Sequence, residues 1–431
     1  MSEDNQSFVF CMLRRKRRMT IMTKIVNFAA KKAELNKRYN EVELAKAAGC
    51  EGQVISKDIK TETDVKNDKI IQFPYPQIPY IETCAGDGTT NQALKAVGKE
   101  LGINFTCVGF SEIDQVAIRA YREIHGPMLV NLGDVTKIDW SKHPCELLSF
   151  TFPCQNISIA NRKGKGFAEG ADSSSSIIWS LRDVLSEMEK KPRFIFMENV
   201  AAILNKKHKP TLDKLIAFLQ SEGYHVDYKK LDAADFGVPQ HRERVYILCT
   251  LGFDPGFTFP NPIPLETTLA DVLEKNPSPQ FNLTEKAKAG FIKRGMRDEN
   301  PYPIRVHNPS KAHTAFTITT RSGSRNYDNF IFEKDITDDA FIQVSQKGLA
   351  KAGVDLQTIK DTKIRKLTPD EVMKLTGLND EVREKLKDFK PNEIYQLCGN
   401  AIVVPVLEKV FYEYFKKLKE DGRLDDLDQV A

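Results

Sequence analysis

The chain has 431 residues, 41% of them apolar and 28% charged, which is typical of a soluble globular protein and excludes a largely disordered one. Its apolar runs are shorter than the ~18 residues that a membrane span needs, and the basic run 14–18 follows the only apolar patch of the N-terminus, the wrong order for a secretory signal. The eight cysteines form no CxxC pair, which argues against a zinc ribbon. We therefore expect a cytoplasmic protein of two or three domains, with reduced thiols, no metal site and no membrane contact.

The formal net charge of +4 is distributed unevenly. Residues 1–76 hold 15 Lys and Arg against 10 Asp and Glu, whereas the remaining chain holds 48 against 49. Within that nearly neutral remainder, residues 286–325 hold 9 basic and 2 acidic residues. Such clusters are most often solvated surface, so charge alone does not identify a partner.

In chain order, the sequence begins with a polar, Lys-rich extension that ends in the Pro-rich stretch 73–79. From Tyr80 onward, short apolar runs alternate with helical patterns, which predicts βαβ units and a parallel sheet. Several of these runs are continuously apolar, as expected for strands covered on both faces. The candidate strands are Tyr80–Cys84, Thr106–Phe110, Leu147–Thr151, Phe194–Met197 and Val245–Thr250.

The later part of the chain differs in pattern. Between about 255 and 364, Pro and Gly are frequent and no helical pattern repeats, which indicates a second, irregular domain. A C-terminal apolar stripe at helical spacing predicts a helix that packs on the first domain; it comprises Val403, Val406, Leu407, Val410, Phe411, Tyr414, Phe415 and Leu418. We predict an extension over 1–76, a first domain over 77–254, a second over 255–389, a return to the first over 390–420, and an acidic tail over 421–431.

Ligands of open parallel sheets bind beyond the carboxyl ends of the strands, and these positions carry reactive or flexible residues here. Five successive apolar runs are followed by glycines, carboxylates or a thiol: Cys84 to Gly88, Ser111-Glu112, Gly133-Asp134, Pro153-Cys154-Gln155 and Glu198-Asn199-Val200. Chance would rarely produce this arrangement. The sequence therefore predicts a functional site at this edge of the sheet.

The first of these turns indicates a nucleoside cofactor. Gly86-x-Gly88 allows backbone to approach a ligand closely, and Glu112 follows at the distance typical of an acid that binds ribose hydroxyls. Asn91 stands where a dinucleotide fingerprint has its third glycine, so S-adenosylmethionine is favoured over a nicotinamide cofactor. For Gly86-x-Gly88, the alternative is a plain pair of turn glycines. Asp134 is suited to accept a hydrogen bond from an adenine amino group, and a simple turn or cap residue is its alternative function.

Cys154 and Glu198 are the candidate reactive residues. Cys154 follows a proline at a strand end and precedes a polar, Gly-containing stretch over 158–170, which favours a reactive thiolate over a small buried hydrophobic residue. Glu198 follows four apolar residues, where an unpaired carboxylate would be costly. A structural cap is the alternative function for Glu198.

In this order, these residues resemble the DNA (cytosine-5)-methyltransferases over about 80–418. The resemblance departs at Cys84, Thr89 and Ala401, where the family commonly has Phe, Gly and Ser. The motifs that carry it are Cys84 to Gly88, Pro153-Cys154-Gln155, Glu198-Asn199-Val200, Gln240-x-Arg242-x-Arg244, Arg365 to Glu371 with Leu375-Thr376-Gly377, and Gly399-Asn400.

The resemblance implies an α/β fold: a Rossmann-like, S-adenosylmethionine-dependent methyltransferase sheet with a smaller, irregular target-recognition domain within 255–389. It implies methyl transfer to C5 of a flipped cytosine in a specific duplex DNA sequence. The implied catalytic residues are Cys154 as nucleophile on C6, Glu198 at N3 and the exocyclic amine, Arg244 at O2, and Arg242 in support of the site and the nearby phosphate.

The resemblance also implies two sets of binding residues. Those for the cofactor S-adenosyl-L-methionine are Cys84, Ala85, Gly86, Gly88, Glu112, Ile113, Asp134, Val135, Pro153, Asn400 and Ala401. Those for DNA are Gln155, Ser158, Thr317, Arg321 and Arg325, the last three within the basic stretch 286–325. We expect double-stranded DNA as the substrate, a monomer on DNA, a place in the prokaryotic cytoplasm or nucleoid, and either a cognate restriction endonuclease or orphan methylation.

Three alternatives concern the substrate and the function class. The separate RNA cytosine-5 family has its nucleophile in a Thr-Cys motif where this chain has Met197-Glu198-Asn199. A tRNA methyltransferase of the DNA type typically carries Cys-Phe-Thr, a tripeptide that does not occur here. A non-catalytic DNA-binding regulator would use the helix-turn-helix-like spacing of 43–58 or the basic run 14–18. Separately, translation could start at Met19 or Met22.

Overall fold

The computed structural model describes residues 76–158, 164–297, 304–323 and 328–424. The basic run 14–18, the helix-turn-helix-like stretch 43–58 and Arg325 lie outside the described residues, as does the tail from 425 onward.

The first part of the described chain alternates strands with helices. Its strands form one sheet in the order β2-β1-β3-β4-β6-β5, in which β1 to β4 run parallel and β6 is antiparallel to both β4 and β5. The predicted α/β class is confirmed. The elements are β1 (Gln77–Thr83), α1 (Thr89–Leu101), β2 (Asn104–Ser111), α2 (Gln115–His125), β3 (Leu147–Phe150), α3 (Leu181–Glu187), β4 (Phe194–Val200), α4 (Lys209–Ser221), β5 (Tyr224–Asp232) and β6 (Glu243–Leu251).

The sheet differs from the sequence prediction in two respects. β5 was not predicted, because it is an edge strand in which only Tyr224 and Leu231 are buried, so its sequence lacks an apolar run. β5 and β6 form an antiparallel pair, which makes the sheet mixed and not purely parallel. The apolar run 129–132 makes only a single bridge, from Asn131 to Phe110 at the end of β2.

The second part contains a smaller sheet with its own core. Its strands lie in the order β10-β8-β7-β9. The sequence predicts an irregular region here, but the structure contains several short helices. The sequence does not reveal them because each helix buries only one to four residues and therefore has no extended apolar stripe. The elements are α5 (Leu269–Val272), α6 (Glu285–Gly295), β7 (Ile304–His307), β8 (Phe330–Phe332), β9 (Phe341–Val344), α7 (Gln346–Ala352), α8 (Leu356–Asp361) and β10 (Ile364–Lys366).

The chain then returns to the first sheet. Val372 and Val382 share one hydrophobic core with the strands of that sheet, whereas the second core ends at Ile364. By core packing, the chain rejoins the first core from Leu367 onward, and the predicted domain bounds, with a second domain over 255–389, stay a prediction. The returning helices are α9 (Pro369–Leu375), α10 (Asp380–Lys385), α11 (Pro391–Asn400) and α12 (Val404–Glu420).

A buried ion pair fixes the junction between β10 and α9. Arg365 donates two hydrogen bonds of 2.8 Å to Glu371, and the two side chains are only 8% and 0% exposed. Glu371 also accepts hydrogen bonds from the backbone N–H groups of Thr368 and Glu274, at 2.7 Å each. Because its carboxylate is held from three directions, the second sheet has a defined attachment to the helices that follow it.

The predicted C-terminal helix is confirmed as α12. Phe411 and Phe415 of α12 make edge contacts with Phe196 and Phe194 of β4, so the helix covers the middle of the sheet. The helical stretch Pro391–Glu420 has the length and hydropathy of a membrane span, but 67% of its most apolar window is buried inside the protein. Burial against the sheet accounts for its apolar composition.

Candidate active site

One cavity at the carboxyl ends of β1 to β4 contains most of the predicted site residues. Parallel strands bring their ends to the same edge, so residues more than 300 positions apart meet there. The predicted residues that line it are Cys84, Ala85, Gly86, Glu112, Ile113, Asp134, Val135, Pro153, Cys154, Gln155, Glu198, Arg242, Arg244, Asn400 and Ala401.

The turn between β1 and α1 has three residues in the left-handed region. Cys84 has φ +47°, Gly86 has φ +58° and Gly88 has φ +80°. A Cβ at Gly86 would meet no protein atom within 4 Å, whereas a Cβ at Gly88 would come within 2.2 Å of His125 Nε2 and 2.7 Å of Tyr121. Gly86 therefore faces open space at the cavity, and Gly88 lies against α2 beneath the turn.

Glu112, at the end of β2, holds the glycine turn in place. Its carboxylate accepts hydrogen bonds from the backbone N–H groups of Gly86 at 2.9 Å, Ile113 at 2.8 Å and Asp114 at 2.9 Å. The Ile113 side chain beside it is 68% exposed. An acidic acceptor and an apolar surface therefore adjoin each other at the cavity rim.

Asp134 lies at the same rim, at the start of a short turn of helix over Val135–Lys137. Its carboxylate accepts hydrogen bonds from the backbone N–H of Thr136 at 3.1 Å and from the hydroxyl of Thr136 at 2.8 Å. These hydrogen bonds lower the pKa of Asp134 below its usual value, so the group remains an ionised acceptor.

The cavity has the chemistry that S-adenosylmethionine requires. The acceptors Glu112 and Asp134 suit hydroxyl and amino donors, Ile113 and Ile402 offer apolar surface for a flat base, and the open side of Gly86 admits a ligand close to the backbone. Burial, Glu112 and Asp134 raise the pKa of the Cys84 thiol to about 12, so Cys84 is a neutral lining residue.

The loop that carries Cys154 is held by two side chains to which the sequence assigned no function, although Asn199 lies in the Glu198-Asn199-Val200 motif. Asn199, next to Glu198 and 1% exposed, donates from Nδ2 to the carbonyl of Phe152 at 3.1 Å. The hydroxyl of Ser175 donates to the carbonyl of Pro153. These contacts fix the backbone on the approach to Cys154.

Glu198 and Arg244 form an ion pair across adjacent strands. In the antiparallel register of β4 and β6, Val200 pairs with Arg244. Glu198 lies two residues before Val200, so Glu198 and Arg244 are diagonal neighbours on the same face of the sheet. Arg244 Nε lies 3.1 Å from Glu198 Oε1, and both side chains are 12% exposed. The ion pair is therefore largely shielded from water while still lining the cavity.

Burial and neighbouring charges set the protonation of the site. Burial raises the pKa of the Glu198 carboxyl, although Arg244 and Arg242 oppose the rise. Burial likewise raises the pKa of the Cys154 thiol; Arg244 and Arg242 lower it and Glu198 raises it. In the protein without substrate, Cys154 is therefore mostly a thiol, and a raised pKa equips Glu198 to donate a proton.

Arg242 lies deeper than its predicted function requires. It is 2% exposed, and burial lowers its pKa to about 9. Its terminal nitrogens donate to three backbone carbonyls, those of Ile318 at 2.8 Å, Gly399 at 3.1 Å and Ala401 at 2.6 Å. The guanidinium is thus enclosed by protein and holds backbone carbonyls, and its predicted support of the site and of the nearby phosphate stays a prediction.

The predicted DNA-binding residues lie outside or at the edge of the cavity. Gln155 lines the cavity and is exposed, and the Ser158 N–H donates to the carbonyl of Cys154 at 2.9 Å. Arg321 is exposed, and the Thr317 hydroxyl donates to the carbonyl of His241 at 2.7 Å. The segment with Thr317 and Arg321 is thus attached to the motif that contains Arg242 and Arg244.

Several further residues line the cavity without a predicted function, although Asp87, Ser111, Gly133 and Gly399 lie within stretches that the sequence analysis names. Asp87 follows a glycine, and Gln396 lies on a helix that otherwise resembles a surface helix. Asp87 shows one signal in retrospect, since it is the residue between the two glycines of the turn and it is charged. The others are Glu82, Thr89, Thr90, Ser111, Asp114, Ala117, Gly133, Thr151, Phe152, Ile177, Leu397, Gly399 and Ile402.

Comparisons with known proteins agree with this geometry. The family model of the C-5 cytosine-specific DNA methylases matches residues 78–416. The chain is 32% identical over 305 residues to the type II methyltransferase M.NlaX of Neisseria lactamica, covering 70% of this chain and 87% of that protein. It is 27% identical over 340 residues to the type II methyltransferase M.HhaI of Haemophilus parahaemolyticus, covering 77% and 93%.

Solved structures with the same fold have much lower sequence identity. The Entamoeba histolytica methyltransferase EhMeth superposes with a TM-score of 0.62 at 16% identity, covering 79% of this chain and 99% of that one. The S. pombe Dnmt2 methyltransferase gives 0.58 at 16% identity, with the same two coverages. These likenesses establish a methyltransferase fold, and the family match adds the chemistry: the chain belongs to the C-5 cytosine-specific DNA methylases, which methylate cytosine C5 in DNA and use S-adenosylmethionine as the methyl donor.

Proposed function

We propose that this methyltransferase acts by covalent attack of Cys154 on C6 of a cytosine flipped out of duplex DNA. The observation that carries the proposal is that Cys154, Glu198 and Arg244 line the same cavity as the residues suited to the cofactor. A base inside a duplex cannot reach an enclosed cavity, so the cytosine has to leave the stack, at a cost of about a few kcal/mol.

The attack splits one difficult reaction into easier steps. Cytosine C5 is a poor nucleophile, and bond formation between the Cys154 thiolate and C6 converts the ring to an enamine with electron density at C5. S-adenosylmethionine, when bound, supplies the methyl group. Cys154 remains attached to C6 until C5 has lost its proton to a base, and it then leaves as the thiolate, which restores the aromatic ring.

Glu198 and Arg244 stabilise the ring while Cys154 is attached. Glu198, with its pKa raised by burial, donates a proton to N3 and accepts a hydrogen bond from the exocyclic amine. Arg244 holds O2 of the ring and keeps Glu198 oriented through the ion pair at 3.1 Å. The ion pair with Arg244 forms fully once Glu198 has given its proton to N3. Because Arg244 also lowers the pKa of Cys154, it favours the reactive thiolate.

For the cofactor, the proposed binding residues follow from the cavity. Glu112 accepts from ribose hydroxyls, Asp134 accepts from the adenine amino group, Ile113 covers the base, and the backbone at Gly86 and Asn400 borders the methionyl part. Glu112 already accepts from three backbone N–H groups, so its orientation is set before a ligand arrives.

For DNA, we propose that Arg321 and Thr317 contact the duplex, with Gln155 and Ser158 beside the flipped base. The basic stretch 286–325 contributes less charge than its composition suggests, because Lys288 is buried and donates to the carbonyl of Lys360 at 2.6 Å. We further propose a monomer on DNA in the prokaryotic cytoplasm or nucleoid. A cognate restriction endonuclease is the proposed genetic partner, with orphan methylation as the alternative.

Cys154→Ser tests the proposed chemistry. We expect the variant to lose methyl transfer to duplex DNA, because a serine hydroxyl is a far weaker nucleophile, while DNA affinity stays within about threefold.

Glu198→Gln should slow turnover by about 10²–10⁴-fold, the usual loss for a general acid. Bisulfite sequencing of DNA from expressing cells measures product and target site together.

Folded-state spectra and DNA affinity serve as the controls for both variants. Product formation by Cys154→Ser at the wild-type rate would disprove the covalent mechanism. A parallel assay on tRNA separates the two substrate classes, since methylated tRNA with unmodified DNA would favour the alternative substrate.

Arg244→Met tests the electrostatic control of Cys154. Because Arg244 lowers the pKa of Cys154, its removal should shift formation of the thiolate to higher pH. Alkylation of the Cys154 peptide by iodoacetamide, followed by mass spectrometry between about pH 7 and 12, measures this shift, because that range extends well above the usual cysteine pKa. Arg119→Met, at a 53% exposed side chain on α2, is the control and should leave the profile unchanged. Equal midpoints in all three proteins would contradict the role of Arg244.

The two turn glycines provide a matched pair for the cofactor cavity. Both variants, Gly86→Ala and Gly88→Ala, put alanine at a positive φ, which costs about 1–2 kcal/mol. Gly88→Ala adds a clash with His125 and Tyr121 and should lose clearly more stability. Gly86→Ala adds volume on the open side of the turn and should weaken S-adenosylmethionine binding by about tenfold or more. Calorimetric titration and urea unfolding measure the two effects, and an unchanged cofactor affinity for Gly86→Ala would contradict the assignment of the turn.

Arg321→Ala tests the DNA contact. One lost phosphate contact should reduce the slope of log K against log salt by about 1 and lower the affinity at low salt. Lys142→Ala, whose side chain is 74% exposed in the turn before β3, is the control and should leave the slope unchanged. Fluorescence anisotropy with labelled duplex measures both, and identical slopes for wild type and Arg321→Ala would remove Arg321 from the interface.

A further inference from the structure

Arg242 connects two segments that come from different parts of the sequence. Its Nη1 donates to the carbonyl of Ile318, and its Nη2 donates to the carbonyls of Gly399 and Ala401. The three acceptors lie at 2.6–3.1 Å from a guanidinium that is 2% exposed. A single planar group therefore bridges the segment around Ile318 and the carboxyl end of α11.

The first bridged segment is residues 315–323, called here the recognition segment. It runs alongside the motif that contains Arg242: the Ile318 N–H donates to Gln240 Oε1 at 2.7 Å, and the Thr317 hydroxyl donates to the carbonyl of His241 at 2.7 Å. Ile318 is thus held at its N–H by Gln240 and at its carbonyl by Arg242. The recognition segment cannot shift relative to this motif without breaking these hydrogen bonds.

The second bridged segment is the end of α11. Gly399 and Ala401, both of which accept from Arg242, line the cavity proposed for the cofactor, as does Asn400 between them. A Cβ at Gly399 would come within 2.1 Å of the backbone nitrogen of Thr320, so the helix end and the recognition segment touch backbone to backbone. The two segments adjoin there, and Arg242 hydrogen-bonds to both.

We propose that Arg242 is a positioning residue that couples the cofactor cavity to the recognition segment, so that cofactor and DNA bind cooperatively. A cofactor that fixes the end of α11 also fixes the carbonyls that Arg242 binds, and through Ile318 it fixes the recognition segment for DNA. By thermodynamic linkage, DNA tightens cofactor binding by the same factor. The inference rests on the proposed function in taking the cavity as the cofactor site and the recognition segment as a DNA contact.

Arg242→Lys tests the coupling, because a lysine ammonium lacks the planar fork that reaches both segments at once. The dissociation constant of a short duplex carrying the methylated site is measured with and without saturating S-adenosylhomocysteine, the demethylated cofactor, so that no turnover occurs. We expect the cofactor to tighten DNA binding by about 5–150-fold in wild type, the usual range of coupling, and by less than about twofold in Arg242→Lys. The ratio of the two dissociation constants for DNA, with and without the cofactor analogue, does not change if a variant binds DNA more weakly by the same factor in both conditions.

Arg383→Lys is the matched control, since Arg383 also has a buried Nε without a partner among the described residues but pairs with Asp370 and Asp380. It should keep the wild-type ratio. Coupling that persists in Arg242→Lys, or no coupling in wild type, would overturn the inference. Methylation by wild type in either case would leave the proposed function intact.

Hydrogen exchange of wild type keeps the test decisive if Arg242→Lys does not fold. The cofactor analogue alone, without DNA, should slow exchange of the amides of 317–323 at least about fivefold, because their segment is held through Arg242. Unchanged exchange across these amides, with slowed exchange at 399–401 as proof of binding, would overturn the inference. An amide outside both segments, such as that of Phe194 in β4, is the internal reference.

Discussion

The shielded ion pair between Glu198 and Arg244, with Arg242 behind it, is the constraint on which the active site depends. Two arginines and one glutamate leave a net positive charge in a cavity wall where burial disfavours every charge. Burial raises the pKa values of both Cys154 and Glu198. The excess positive charge opposes the rise in each case. The same three groups therefore control the protonation of the proposed nucleophile, Cys154, and of the proposed proton donor, Glu198. A change to any one of them alters the protonation of the others.

This arrangement depends on the antiparallel direction of β6. Glu198 lies near the carboxyl end of β4, and Arg244 lies at the amino end of β6, opposite Val200. The two ends adjoin only because β6 runs against β4. In a purely parallel sheet, the amino end of β6 would lie at the far edge, away from Cys154. The one departure from the predicted parallel sheet is thus the feature that completes the site.

The sequence predicted the residues that lie directly at strand ends, because glycines, carboxylates and a thiol after apolar runs are recognisable without knowledge of the fold. The sequence did not predict functions that depend on contacts between distant residues, because sequence spacing does not reveal such contacts. Asn199 donates to the carbonyl of Phe152, 47 positions away, and Ser175 acts on Pro153 in the same manner. Edge strand β5 was missed because its exposed positions hide the pattern. The sequence predicted that Arg242 supports the site, but it did not predict that the Arg242 side chain is buried.

Charge counted along the sequence overstates the charge available to DNA. Of the basic residues in 286–325, Lys288 is buried, Arg305 pairs with Asp328 at 2.5 Å, and Lys311 lies 3.6 Å from Asp338. A charge held in an ion pair releases little counterion when a phosphate approaches, so these residues add little to the salt dependence. Nonspecific attraction from this stretch is correspondingly modest. Under the proposed DNA contact, attachment of the recognition segment to Gln240 and Arg242 matters more for binding than the number of basic residues around it, because this attachment sets the position of Arg321 relative to the cavity.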